Sequence, residues 1–149
     1  MPCRRFAALA IVAGVVAAPI AAQAAKTPPT LMVRSSPWGQ ILETGKGQTI
    51  YLWPKDKNGK IACSGACLAV WPLVKVSGPP TAGSGINAKL LGTIKLTGGN
   101  EVTYAGHPLY TFISGTKPGV ISGEGNTSFG APWWLVAPSG AAIMRKPKP

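Results

Sequence analysis

The chain has 149 residues, 46% of them hydrophobic, with fifteen Lys and Arg against four Asp and Glu and a formal net charge of +11. That length supports one domain around one core, and the sign of the charge favours solubility and weak affinity for anionic partners. One histidine, one aspartate and three glutamates leave little from which to build catalytic or metal chemistry.

The N-terminus has the three parts of a secretory signal. Arg4 and Arg5 precede an apolar run from Phe6 to Ile20, and Ala22-Gln-Ala24 supplies the small-x-small cleavage pattern. The run is interrupted by Pro19 and stops short of the roughly 20 residues a membrane span requires. Cleavage is expected after Ala24, leaving 125 of the 149 residues and thirteen basic side chains, the fifteen less Arg4 and Arg5. Cys3 precedes the apolar run and leaves with it, so no acylated N-terminal cysteine is expected. Export sets an oxidising environment for the two remaining cysteines, Cys63 and Cys67.

Residues 25–36 read as a flexible lead, from which Leu31-Met-Val33 can reach a sheet edge. Ser35 to Gly39 is a turn cluster. Gln40–Glu43 and Thr49–Trp53 read as the two strands of a first hairpin, with Pro54 ending the second. Cys63 to Val70 reads as one or two helical turns stopped by Pro72. On such a helix the two cysteines stand at i and i+4, with Cα atoms about 6 Å apart, within disulfide range. Lys75 to Asn87 is a linker rich in Gly, Pro and Ser. Asn87 reads as the N-cap of a single turn that exits at Gly92. Thr93–Thr97, Glu101–Tyr104, Leu109–Ile113 and Trp133–Ala137 read as short strands between Gly-containing turns, with a long Gly-rich loop over 114–132. The fold class is all-β.

The chain also repeats itself. Gly47-Gln-Thr-Ile-Tyr-Leu-Trp53 has a counterpart in Gly106-His-Pro-Leu-Tyr-Thr-Phe112, and each is followed by a Lys-x-Gly, at Lys57 and at Lys117. Further on, Trp71, Leu73 and Val74 match Trp134, Leu135 and Val136. Two pseudo-repeats are expected, at about 38–74 and 88–140, within a domain spanning 37–144 and ahead of a basic tail at 145–149. Tyr51 with Trp53, and Tyr110 with Phe112, fall on one face of their strands, where aromatic residues build core rather than a ligand platform.

Chemistry finds few candidates. His107 sits in a Gly-His-Pro turn and is expected to face water. A triad would need it beside Asp56, and no Gly-x-Ser-x-Gly elbow is present. Cys63-Ser-Gly-Ala-Cys67 fails the haem-attachment spacing, and a closed zinc site lacks a fourth ligand. A copper site from Cys63, Cys67 and His107 is the weak alternative, and oxidation of the thiols would abolish it. No phosphate loop closes, and no cofactor is expected. As a staple the cysteine pair closes five residues and contributes about 2 kcal/mol. As a redox centre it would need a lowered thiol pKa, for instance from Lys60.

Tyr51-Leu-Trp53-Pro-Lys-Asp56, the cysteine segment with Trp71-Pro72, Leu90 to Ile94 and Val102 to Tyr110 together resemble a bacterial family of secreted repeats of unestablished function. That family is described as lipoproteins with a Yx(FWY)xxD motif, and the resemblance spans residues 38–140. Two departures stand out. Gly115 occupies the place of the motif's Asp after Tyr110 and Phe112, and no lipobox cysteine follows the signal, so no lipid anchor is expected. The resemblance implies a tandem-repeat envelope protein and transfers no catalytic residue.

The expectation is a secreted or periplasmic, non-enzymatic structural or binding module with a Cys63–Cys67 disulfide and no membrane span in the mature chain. It would meet anionic envelope components through scattered lysines and recognise no specific nucleic acid, since no aromatic ladder follows a basic stripe. The alternative is a thiol/disulfide or copper-handling redox protein centred on Cys63 and Cys67.

Overall fold

The computed structural model describes Thr27 and residues 29–146; the expected signal segment, its expected cleavage point and the last three residues of the tail lie outside them. Nine short strands dominate: β1 (Leu31–Ser36), β2 (Gly39–Thr44), β3 (Tyr51–Leu52), β4 (Lys75–Val76), β5 (Leu91–Leu96), β6 (Gly99–Tyr104), β7 (His107–Pro108), β8 (Trp134–Val136) and β9 (Ala142–Ile143). One helix, α1 (Ala66–Val70), and three single 3-10 turns complete the regular structure among the described residues. The fold is a small single all-β domain of antiparallel sheets.

Each repeat opens with a hairpin in the same register. Leu31 pairs with Thr44 through to Ser36 with Gly39, and sixty positions later Leu91 pairs with Tyr104 through to Leu96 with Gly99. The expected lead at 25–36 is therefore shorter. Val33 and its neighbours are half-buried against the core, so the segment from Leu31 is a strand rather than a tether. It also displaces the hairpin partner read from the sequence: β2 pairs with β1 along its length and meets Thr49 only through a single bridge from Glu43.

After each hairpin comes a tyrosine strand, and the two strands meet at the centre. The Tyr51 amide donates to the Tyr110 carbonyl at 2.8 Å, and the Tyr110 amide donates back to Tyr51 at 2.9 Å. On its other side Tyr51 pairs with Leu135, and Tyr110 pairs with Leu73. Across the middle the lateral order of paired residues is Leu73, Tyr110, Tyr51, Leu135, Ile143. The closing strand of each repeat thus completes the sheet begun by the other. Strands of two or three residues contribute little alone, so the central sheet, unlike the two hairpins, needs both repeats.

This pairing also corrects the correspondence between repeats. Leu73 and Leu135 are equivalent, which makes Trp71 the counterpart of Trp133 and not of Trp134. The core lies in two neighbouring clusters. One gathers Tyr51, Trp53, Trp71, Tyr110 and Trp133 with the cysteines, and the other gathers Leu42, Ile50, Val102, Tyr104 and Leu109.

Local signals elsewhere hold with small shifts. Asn87 caps its turn by accepting from the Lys89 amide at 3.0 Å, but the turn ends at Leu90 and Gly92 lies inside β5. The expected linker begins as β4, and Thr81 and Ala82 return to pair with Thr30 and Leu31. The expected strand at Leu109–Ile113 reduces to the Tyr110 bridges, after which Phe112 stacks on Trp71 and a 3-10 turn begins at Ile113, while the strand β7 lies just before it at His107–Pro108. His107 belongs to β7, opposite Tyr104, and is half-buried rather than free in a turn. The tail is tied at its start, where the Arg145 Nε donates to the Trp38 carbonyl at 3.2 Å.

Candidate functional site: the aromatic column and its rim

Four rings stack in a column: Trp53 on Trp133 (4.8 Å between centroids, planes 4° apart), Trp133 on Trp71 (4.0 Å, 5°) and Trp71 on Phe112 (4.3 Å, 28°). The column obeys the two-fold relation of the repeats. Its inner pair is Trp71 with Trp133, its ends are the motif aromatics Trp53 and Phe112, and the motif tyrosines close its sides. Tyr51 meets Trp71 edge-on at 5.4 Å, and Tyr110 meets Trp133 edge-on at 5.0 Å. Offset stacks and edge contacts are the arrangements that ring quadrupoles favour, each adding about 0.5–1.5 kcal/mol beyond burial. Trp71 and Trp133 are 0% exposed. Gly123 is required beside them, since a Cβ there would stand 2.7 Å from the Trp71 ring and 3.0 Å from the Tyr51 ring.

Buried indoles need acceptors, and all three of these find them on one loop. The Trp71 Nε1 donates to the Ser128 Oγ, the Trp133 Nε1 to the Ser128 carbonyl and the Trp53 Nε1 to the Ala131 carbonyl, at 3.1, 3.1 and 3.2 Å. Nothing in the sequence marked Ser128 for this, because its role exists only once both repeats are in place.

The motif aspartate is a clamp between the repeats. Asp56 Oδ1 accepts from the Ala62 amide at 2.7 Å and Oδ2 accepts from the Tyr110 hydroxyl at 2.7 Å. Burial pushes the Asp56 carboxyl up, while the Ala62 amide, the Tyr110 hydroxyl and the charge of nearby His107 pull it down. The Tyr110 hydroxyl is raised by burial and by Asp56. Repeat two lacks this clamp. With Gly115 in the aspartate's place, the Tyr51 hydroxyl accepts from the Gly123 and Ser122 amides instead, at 3.0 and 3.3 Å. Tyr110→Phe leaves a buried carboxylate oxygen without its donor and is expected to cost about 1.5–3 kcal/mol, against about 1 kcal/mol for Tyr51→Phe. Urea unfolding of the two variants measures the difference.

Cys63 and Cys67 are joined, with Cα atoms 5.4 Å apart. Cys63 precedes α1 instead of sharing its face, so the loop and not the helix brings the two together. Both sulfur residues are buried in the column's cluster. Among the described residues no group of three or more His, Cys, Asp or Glu side chains converges as metal ligands would.

Two glutamates escaped the sequence reading. Glu101 is 0% exposed; its Oε1 accepts from the Leu109 amide at 3.0 Å and its Oε2 has no partner. Burial pushes its carboxyl up to about 8. Glu124 accepts from the Leu135 amide at 2.6 Å through Oε2, leaves Oε1 unpartnered, and is pushed up to about 7 by burial. Strand alternation would turn Glu101 outward opposite Val102 and Tyr104, but β6 is covered on both faces. Glu43 is buried too, paired at 2.7 Å with Arg34.

The outer rim is the reverse. Every described lysine is exposed: Lys46, Lys55, Lys57, Lys60, Lys75, Lys89, Lys95, Lys117 and Lys146. An open depression of about 760 Å³ lies beside Leu73–Thr81, with Lys46 and Lys75 on its wall and no ring of the column in its lining. No described helix is long and apolar enough to cross a membrane.

A family model described as a secreted repeat of unknown function matches residues 32–75 and 92–137. Those spans cover the two hairpin-to-closing-strand units whose motif residues form the column and the clamp. No curated protein and no solved structure matches the chain. The chain therefore belongs to this family of secreted repeats, in which it carries two interlocked copies.

Proposed function

We propose that this protein is a non-enzymatic binding module of the cell envelope that meets anionic envelope components through its outer surface. The observation that carries this is the segregation of charge. Glu43, Asp56 and Glu101 are buried and Glu124 is half-buried, while all nine described lysines reach solvent. Such a surface presents cations with almost no compensating anions, which draws in polyanions and repels polycations. The aromatic column supports the same reading by its closure, because the rings are occupied with one another and with the Ser128 loop. The buried disulfide acts as a staple under the column. Removal of residues 1–24 leaves a secreted or periplasmic chain.

Titration of the secreted chain with inorganic polyphosphate tests the reading. Binding is expected to weaken steeply as salt is raised, as screened surface charges require. Absent or salt-indifferent binding contradicts it.

A further inference from the structure

The loop that the three indoles hold carries a feature the stacking does not need. Phe129 sits at its tip with φ 65° and ψ 20°. That left-handed conformation suits Gly or Asn and strains an aromatic residue, and such strain persists only where the surroundings impose it. The Trp53, Trp71 and Trp133 bonds to Ser128 and Ala131 bracket Phe129 on both sides. The result is a large apolar residue 39% exposed, one of three such exposed hydrophobic residues among the described ones.

A cation stands beside it. The Lys55 ammonium donates to the Phe129 carbonyl at 3.0 Å and lies 5.3 Å from the Trp53 ring. One of its three donors is used there, leaving the others for a ligand. Lys57 and Lys60 follow on the same turn, bridged to each other across Asn58 and Gly59, both at positive φ, as a tight hairpin turn demands. The turn is rigid at its base, where Asp56 accepts the Ala62 amide.

We propose that this face, Phe129 with Lys55, Lys57 and Lys60, docks the protein on the surface of an anionic lipid leaflet. The inference rests on the cationic-surface reading above and names its partner. A soluble polyanion would satisfy the lysines and leave Phe129 in water. A leaflet supplies phosphates at the level of the ammonium groups and, a few ångströms deeper, an apolar boundary for the ring. Docking is reversible, since one ring and three lysines fall far short of a spanning helix.

Flotation of the secreted chain with vesicles tests this, using phosphatidylcholine alone and phosphatidylcholine mixed equally with phosphatidylglycerol. The protein is expected to float with the mixed vesicles and not with the neutral ones. Phe129→Gly fits the left-handed conformation without strain, so the variant keeps the parent's near-ultraviolet circular dichroism. Its partition to mixed vesicles is expected to fall about tenfold, with polyphosphate binding unchanged. Replacing Lys55, Lys57 and Lys60 by Gln is expected to reduce flotation about 100-fold. The proposal is overturned if Phe129→Gly floats as fully as the parent, or if neutral vesicles bind equally well. Polyphosphate binding without flotation would sink the lipid docking and leave the cationic-surface reading standing, whereas loss of both would remove the two together.

Discussion

Trp133→Ala is expected to lower the stability of the domain by about 3–5 kcal/mol, the range for emptying a buried aromatic site. Domains of this size carry about 5–15 kcal/mol in total, so the variant should be largely unfolded in mild denaturant. The loss has three parts. The ring leaves a cavity between Trp53 and Trp71, its nearest stacking partners at 4.8 and 4.0 Å. Tyr110 loses its edge contact. The Ser128 carbonyl loses its indole donor, which frees one of the attachments of the 126–131 loop. Trp134→Ala, one residue on and half-buried, should cost much less. Urea midpoints of the two variants decide the matter, and equal losses would show that the column is not the keystone.

Stability is also expected to fall as the pH rises from about 5 to 8, opposite to the usual rise from acid toward neutrality. Burial raises Glu101 to about 8 and Glu124 to about 7 in the folded chain, from an ordinary value of 4.5. A raised folded value means that the native state holds its proton more tightly than the unfolded chain. The contribution is complete below about 4.5 and disappears as the pH climbs through about 7 and then about 8. Asp56, raised as well, acts in the same direction. For Glu101, which is wholly buried, the loss is on the order of 2–4 kcal/mol. Lys75 is the cation facing it, and Asp56 and the Leu109 and Val74 amides are its other polar neighbours. Glu101→Gln keeps an acceptor for Leu109 and cannot ionise. Its unfolding midpoint should vary much less over the same range and exceed the parent's at pH 8. A parent profile that is flat or rising between pH 5 and 8 would contradict this.

Much of the architecture was legible because it is written in local pattern. The repeat, the hairpin at Gly98–Gly99, the Asn87 cap and the short helix before Pro72 each follow from residues close in sequence. The pairing of Cys63 with Cys67 was legible for the same reason. What stayed hidden is what the repeats do to each other. The reciprocal bonds of Tyr51 and Tyr110, the exchange of Leu73 and Leu135, and the choice of Trp133 over Trp134 depend on contacts between segments far apart in the chain. The clamp of Asp56 on Tyr110 is equally non-local, so the motif could be recognised while its mechanical role could not. Strand alternation alone would misplace Glu101. Alternation separates the two faces of a strand but cannot show that both are covered.

The central claim is that the two repeats are one interlocked scaffold. Native-state hydrogen exchange measures this most directly, following the amides of Tyr51 and Ile50 in repeat one with those of Tyr110 and Val102 in repeat two. Interlocking predicts that all four open only with the whole molecule, at one common free energy, and respond to denaturant in parallel. If the amides of one repeat exchange at a markedly lower free energy while those of the other stay protected, the repeats are separate units and the account fails.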